Sequence, residues 1–540
     1  MDKLKLNYKR TIFVGFAFFL ISLFWQAYDS IIPKILTDKF GMSQFWSGVI
    51  MAFDNVIALF LLPLFGTLSD KCKSKHGRRT PFILIGTIIA AFALVSLSFV
   101  DAAQLRKLEP ITAVTDSESA GYEEAMTELY RSDVEFTLDG GERISLSDKF
   151  TEEEFVGFAD GCREKLVADG KDASEIDLDN DSAEYKSFVA TYVTPARQAY
   201  AANVMDAAPS VIITFIAVLL VVLLSMAIFR SPAVALMPDV TPKPLRSKGN
   251  AIINLMGVFG GILVLVLGMV FGTGNPQKAL MSYVVFFSVV AACMLIALVI
   301  FKLKVNEPKL VSEMQKESEA LGIDESEDEK AENGKGGKLS RPEFRSLIFI
   351  LLSVVFWYMG YNAITSKYSV YAGAVLQLDY NMTLILAQAA ALIAFVPVGM
   401  LASKIGRRKT ILIGVACLTA AVAVGAFFKA GANIWLVNAV FALAGIGWAT
   451  INVNSYPMVV ELASSGNVGK YTGFYYTASM FAQTITPMIS GFFMDELGMR
   501  SLFPYAAIFV GLSFVTMLFV RHGDSRPVAS KPTLEALDVD

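Results

Sequence analysis

The chain of 540 residues is 54% hydrophobic with a mean hydropathy of +0.52, a level ordinary soluble domains do not reach. About a dozen apolar runs of roughly 20 residues match the thickness of a bilayer core, so the chain reads as a polytopic membrane protein. The net charge of −4 conceals a partition. Asp101 to Ala207 hold about 25 acidic and 10 basic residues, and the remainder, near +11, suits loops facing anionic lipid without any nucleic-acid partner.

Lys3, Lys5, Lys9 and Arg10 precede the first span, Thr11 to about Ile32, and place the N-terminus inside. This span is too long for a signal core and carries Gln26 and Asp29, so it is expected to be retained. The second span, about Ser43 to Ser69, contains Asp54 and Asn55. A dense cationic stop follows, with Lys71, Lys73, Lys75, Arg78 and Arg79 against the single acid Asp70. The third span, Pro81 to Val100, leads outside.

The apolar pattern then stops for about a hundred residues, far beyond an ordinary inter-helix loop. Asp101 to Ala207 is expected to form a small, partly ordered external domain, with helical character over Glu152 to Val167 and a turn at Asp139-Gly-Gly141. It is also expected to be dispensable, so that a short linker can replace Leu105 to Ala202. Asp177-Leu-Asp179-Asn-Asp181 has the opening of a calcium loop, but Ser182 and Phe188 occupy the places of the glycine and the closing acid. A solvated acidic loop fits better, and no metal site is expected.

The fourth span runs from Pro209 to Asp239 with Arg230 in its inner half, and a basic loop (Lys243, Arg246, Lys248) returns to the fifth, Asn250 to Phe271. The sixth covers about Ser282 to Phe301. Lys302 to Arg345 has the composition of a disordered linker, its charged run Asp324 to Lys330 simply solvated. Six further spans are expected near 346–366, 379–402, 410–428, 434–458, 471–493 and 502–520. The domains are therefore 1–100 (spans one to three), 101–207 (external insertion), 208–302 (spans four to six), 303–345 (linker), 346–521 (spans seven to twelve) and 522–540 (tail). The four cysteines lie far apart, so no disulfide framework is expected. The two histidines, His76 and His522, sit in cationic ends, which excludes an intramembrane histidine relay.

The segment around Gly66 and Asp70 is echoed by Pro397-Val-Gly399-Met-Leu-Ala-Ser403-Lys404-Ile-Gly406-Arg407-Arg408. Such an echo in two hydrophobic halves is the mark of duplicated transporter bundles. The arginine pairs follow spans two and eight, while Asp239 and Glu461 end spans four and ten. Asp70, Arg78, Arg79 and Asp239, with Arg407, Arg408 and Glu461, are thus expected to form one cytoplasmic latch built twice, made when the inner ends close and broken when they splay. The plainer alternative is that the arginines only set topology.

Polar groups inside spans are costly and face a cavity or a partner. Counting along the helices places Asp29 roughly 28 Å above Arg10, Asp54 about 24 Å above Asp70, and Arg230 about 13 Å above Asp239. Two carboxylates at similar depth with a cation below can bind a proton in response to an occupant. The alternative is a static buried ion pair. The second half offers neutral groups: Tyr361 and Asn362 in span seven, Gln388 in eight, Asn452 and Asn454 in ten, Tyr475 and Gln483 in eleven. With Gln26, Asn55 and Arg230 they suit a ligand rich in hydroxyls with a ring to stack on. No nucleophile–base pair or metal cluster is visible in the spans, which disfavours an enzyme.

Gly66-x-x-Ser-Asp70 followed by Gly77-Arg-Arg-x-Pro81-Phe-Ile resembles the signature of plant sucrose/proton symporters and their animal and bacterial relatives. These belong to the glycoside–pentoside–hexuronide cation symporters of the major facilitator superfamily. Pro232-x-x-Ala-Leu-x-x-Asp239 and Gly445-Ile-Gly-Trp448-Ala-Thr-Ile-Asn452, with Asn454-Ser-Tyr-Pro457 and Glu461, resemble the same group. The likeness covers both membrane halves, not the insertion or the linker.

The resemblance implies an all-α fold of twelve membrane helices in two pseudo-symmetric bundles. It implies a cofactor-free, monomeric, proton-coupled symporter of a sucrose- or maltose-like glucoside in the plasma or inner membrane, both termini cytoplasmic. Its partners would be sugar, protons and lipid. Sugar efflux by proton antiport and a non-transporting sugar receptor remain as alternatives.

Two departures stand out. Leu223 and Val234 occupy the places of the plant proteins' fourth-helix aspartate and arginine. Arg230, one turn above Val234, stands in for the arginine, and proton coupling falls to Asp54 or Asp29. Ala58 and Leu62, ahead of Pro63, replace the acid pair of sodium-coupled melibiose permeases.

Overall fold

Apolar segments that cross a bilayer have no water to satisfy their backbones, so they close hydrogen bonds internally as helices. A computed structural model describes residues 6–138, 141–242, 245–320, 340–462 and 468–522. Asp139, Lys243, the run Asp324 to Lys330 and the tail beyond His522 lie outside the described residues. The first half comprises α1 (Tyr8–Lys34), α2 (Gln44–Asp70), α3 (Thr80–Lys107), α4 (Ser210–Val240), α5 (Arg246–Phe271) and α6 (Val284–Lys304). The second comprises α7 (Arg341–Tyr371), α8 (Tyr380–Ile405), α9 (Arg407–Gly425), α10 (Ile434–Val460), α11 (Val468–Leu497) and α12 (Leu502–Leu518). Among the described residues eleven helices are long and apolar enough to cross a membrane. The long helix outside that count is α11, diluted by tyrosine, threonine, serine and Gln483, and it packs among the others against α2 and α7.

Local sequence sets the starts. Asn7, Ser43, Asp379 and Asn433 each accept a backbone N–H at the head of α1, α2, α8 and α10, and Ser340 with Glu343 forms a capping box on α7. α1 and α7 each end in a π-helical turn, Ile35–Lys39 and Ala372–Leu376. In the first half α1 lies on α5, and α4 lies on α3 and α2; in the second, α10 lies on α8 and α9, and α7 on α12 and α11. Each half has its own apolar core, one built on Phe24, Phe215, Phe229 and Phe286, the other on Trp357, Phe441 and Phe503.

The halves meet through α2 with α11, α5 with α8, and α1 with α7. Their closest approach is at the end bearing the insertion. A Cβ on Gly48 would lie 2.1 Å from the Pro487 carbonyl oxygen, and one on Gly491 2.2 Å from that of Gln44, so only glycine permits this crossing. Hydrogen bonds between the halves lie at that end and at mid-depth, among them Gln388 Nε2 to Gln26 Oε1 at 2.8 Å. These contacts close the molecule at the insertion end.

Two expectations are corrected. The segment read as partly ordered is a folded helical domain with a core of Ile111, Met126, Leu129, Leu146, Phe155 and Phe188. The helical character expected over Glu152 to Val167 is present as two helices, Glu152–Val156 and Phe158–Ala168, and the calcium-like acids are engaged, Asp181 by Lys171 and Asp179 by Gln277. Nor is the linker disordered throughout. Glu307–Ala320 is a helix, and buried Glu307 accepts the backbone N–H groups of Arg78 (2.7 Å), Arg79 (2.9 Å) and Thr80 (2.8 Å). An anion there complements the exposed donors and dipole at the head of α3.

Replacing Leu105 to Ala202 is no longer a neutral cut, because Arg197 lies within it. Arg197 pairs with Asp38 at 2.8 Å, beyond α1, where both are buried, and Gln198 adds a bond at 3.0 Å. Arg197→Ala is expected to cost about 3–5 kcal/mol, since it leaves Asp38 buried without its cation. Thermal unfolding in detergent measures it, and a loss below about 1 kcal/mol would show that Gln198 suffices.

Candidate functional site

Asp29 stands toward the insertion end of α1, and its side chain keeps an accessible surface. Asp54 of α2 and Arg230 of α4 are close enough to act on it electrostatically, and Arg230 acts on both carboxylates. Among the described residues no carboxylate comes within 4 Å of Arg230, so these three do not form a closed ion pair. Its guanidinium lies 5.3 Å from the Trp25 ring centre, a cation–π contact. Asn55 Nδ2 donates to Asp54 Oδ1 at 2.8 Å.

Gln26 donates to Ser30 at 2.9 Å and accepts from Gln388, so the two amides bridge the halves at mid-depth. Tyr361 is stacked on Trp448, with centroids 3.6 Å apart and planes 3° apart, and Tyr358 meets the same indole edge-on at 5.2 Å. Tyr361 also feels the charge of Asp29, which puts this aromatic wall opposite the carboxylates. Asn362, next in sequence, has a buried Nδ2 without a partner.

The structure thus brings together Asp29, Asp54, Asn55, Arg230, Gln26, Gln388 and Tyr361, with Asn362 adjoining. Asn452 and Gln483 are half-buried on α10 and α11, and no hydrogen bond joins their side chains to that group among the described residues. One assignment is corrected: Asn454 is buried and donates to the Thr450 carbonyl of its own helix at 2.9 Å. Tyr475 shares a hydrogen bond with Ser455 at 2.9 Å and also bonds Tyr358, so it ties α10 and α11 to the Trp448 wall.

The acids and arginines expected to form the latch are paired in each half. Asp239 binds Arg78 (2.7 Å) and Arg79 (2.8 Å), and Arg79 also reaches Asp70. Glu461 pairs with Arg407, while Arg408 donates to the carbonyls of Met517 and Leu518. All these bonds stay within one half. They fasten the helices of each half to one another at the end of the termini.

Trp25 and Trp448 were not singled out as site residues, nor were the buried lysines Lys34 and Lys367. The signal that finds them is the internal repeat, aligned beyond the arginine motif. Trp25, Tyr28, Asp29 and Lys34 have the same spacing as Tyr358, Tyr361, Asn362 and Lys367. Asp54 and Gln388 each stand nine residues before a proline, and Arg230 and Asn452 nine before Asp239 and Glu461. Each of these charged residues of the first half therefore corresponds to a neutral amide at the matching repeat position of the second.

The family description Major Facilitator Superfamily matches residues 196–396 and 378–537, and MFS/sugar transport protein matches residues 13–103. Sucrose transport protein SUC3 of Arabidopsis thaliana is 39% identical over 59 residues, 11% of this chain and 10% of that protein. Sucrose transport protein SUT4 of Oryza sativa subsp. indica is 36% identical over 59 residues, again 11% and 10%. The likeness spans only about a tenth of the length of these relatives. Among solved structures, the inward-open xylose transporter XylE of E. coli aligns with a TM-score of 0.54 at 13% identity, covering 95% of this chain and 96% of that one. A bacterial homologue of the iron transporter ferroportin in its inward-facing state aligns at 0.55 and 12% identity, covering 95% and 99%. At such identities these two show the shared fold.

Proposed function

The chain belongs to the major facilitator superfamily, and on that premise we propose that it takes up a small glucoside of the sucrose or maltose class together with protons. It does so by alternating access in the cell membrane, with both termini on the cytoplasmic side. The observation that supports this reading is the grouping of Asp29, Asp54 and Arg230 of one half with Tyr361 of the other, beside the Tyr361–Trp448 stack and the Gln26–Gln388 bond. With both carboxylates ionised the three groups sum to one negative charge, and a single proton makes them neutral. A neutral cluster moves across the reorienting step without carrying charge through a low-dielectric path, so one proton per cycle is expected. Arg230 offsets one of the two carboxylate charges, and a single proton offsets the other. The amides and the Tyr361–Trp448 stack supply the hydrogen bonds and ring face that a glucose unit needs.

Uptake of labelled sucrose and maltose into proteoliposomes, with and without an inward proton gradient, tests the reading. Accumulation above equilibrium only with the gradient is expected; accumulation driven by an outward gradient would indicate efflux, and binding without movement a receptor. Trp448→Ala is expected to weaken sugar binding about tenfold, from a lost stacking face of about 0.5–1.5 kcal/mol plus its buried area, and Trp448→Phe to retain most of it. Equilibrium binding of the labelled sugar reads both variants, and equal losses would contradict a stacking role.

A further inference from the structure

Lys34 and Lys367 are buried at 2% and 0% exposure, at the insertion ends of α1 and α7, where the positive-inside trend disfavours cations. Lys367 Nζ donates 2.6 Å across the halves to the carbonyl oxygen of Gln44, the first residue of α2. The same turn is held by Asp495 of α11, which accepts the N–H groups of Gln44 at 2.7 Å and Phe45 at 2.8 Å. Lys34 Nζ donates 2.7 Å to the Thr273 carbonyl just beyond α5 and lies 5.6 Å from the ring centre of Tyr380, the first residue of α8. Thr273 Oγ1 in turn meets Tyr380 Oη at 3.1 Å across the halves. The α2–α11 and α5–α8 closures thus each have a lysine at their centre, and the two lysines are repeat mates. Each stands five residues past its site residue, Asp29 or Asn362, about 7.5 Å along one continuous helix.

Neither ammonium has a carboxylate within 4 Å among the described residues; Asp38 and Asp379 reach Lys34, and Asp495 reaches Lys367, only at longer range. Each donates to a main-chain carbonyl, a neutral acceptor that returns little of the hydration an ammonium gives up on burial. An ammonium placed this way raises the free energy of the closed end and is relieved when that end parts and water enters. Asp495 acts in the opposite sense, because its ionised oxygens cap the free N–H groups of a helix that belongs to the other half.

We propose that Lys34 and Lys367 are positioning residues of the transport cycle, paired buried charges that hold the insertion-side gate near balance, with Asp495 as the closing counterweight. This rests on the alternating-access part of the function above, not on the sugar or the coupling ion, and its test reads the gate without substrate.

The test places a reporter by Ser47→Cys, one turn inside α2 and fully buried in the closed gate, in a chain carrying Cys162→Ser so that no other described cysteine lies at that end. A membrane-impermeant maleimide is applied from the insertion side in proteoliposomes. Lys34→Met and Lys367→Met are each expected to slow labelling about tenfold, and the double variant more, since an apolar side chain makes the closed end more stable. Asp495→Asn is expected to speed it several-fold. Unchanged or faster labelling in both lysine variants would overturn the proposal, as would slower labelling in Asp495→Asn. A variant that merely unfolds labels faster and loses its monodisperse gel-filtration peak, so slowed labelling cannot arise from misfolding.

Discussion

Asp54→Asn and Asp29→Asn are each expected to abolish uphill sugar accumulation while leaving downhill exchange. An amide keeps the hydrogen bonds of the carboxylate but cannot carry a proton. The coupled charge contributes about 2.3 kcal/mol per 100 mV, equivalent to roughly a 50-fold concentration ratio, and all of it disappears with the proton site. Removing either acid leaves the other to be neutralised by Arg230, so the cluster has no net charge to titrate and both variants should fail. The Asn55 amide donates to the Asp54 carboxylate at 2.8 Å, a bond that favours its ionised form between proton-binding events. Concentrative uptake surviving in both single variants would remove these residues from coupling. Lost exchange as well as lost accumulation would assign them to sugar binding instead.

Asp239→Ala is expected to destabilise the protein by about 3 kcal/mol, and Glu461→Ala by about 1 kcal/mol or less, although the two acids occupy matching places in the repeat. The difference lies in burial. The Arg79 side chain is 6% exposed and Asp239 14%, with Asp70 and Ser69 as the remaining partners of that guanidinium. The Arg407 and Glu461 side chains are 21% and 24% exposed, so water takes over when the pair is broken. Charge exchange should not restore the first pair, because Arg79→Asp would face Asp70 and forfeit the bond to Ser69. Thermal unfolding of the purified variants decides it. Equal losses in the two halves would mean that burial does not govern these contacts, and recovery of the exchanged pair would return the arginines to a simple one-to-one latch.

Much of the architecture follows from one-dimensional properties of the chain. Apolar runs of bilayer length can only be helices, so the positions of the spans, the helical class and the break for an insertion were legible in the sequence. So was the duplication, through the arginine motifs after α2 and α8. Family membership was carried by the same motifs. Of the candidate site, Asp29, Asp54 and Arg230 were visible because a charge in an apolar run is costly wherever it points.

What only the tertiary structure decided is how those helices face one another. Asn454 has the same residue type as the site amides, yet it bonds its own helix; rotation of α10 in the bundle settles that, and composition does not encode it. Glu307 looked like one more linker acid until the fold put it over the head of α3. The sequence marks the insertion as a partly ordered domain but not the extent of its core, because a small acidic domain buries its apolar residues at irregular spacing. Which end of the bundle is closed, and therefore what Lys34, Lys367 and Asp495 hold, depends on contacts between residues hundreds of positions apart. Such contacts arise from the packing of the two halves, and no local stretch of the chain specifies them alone.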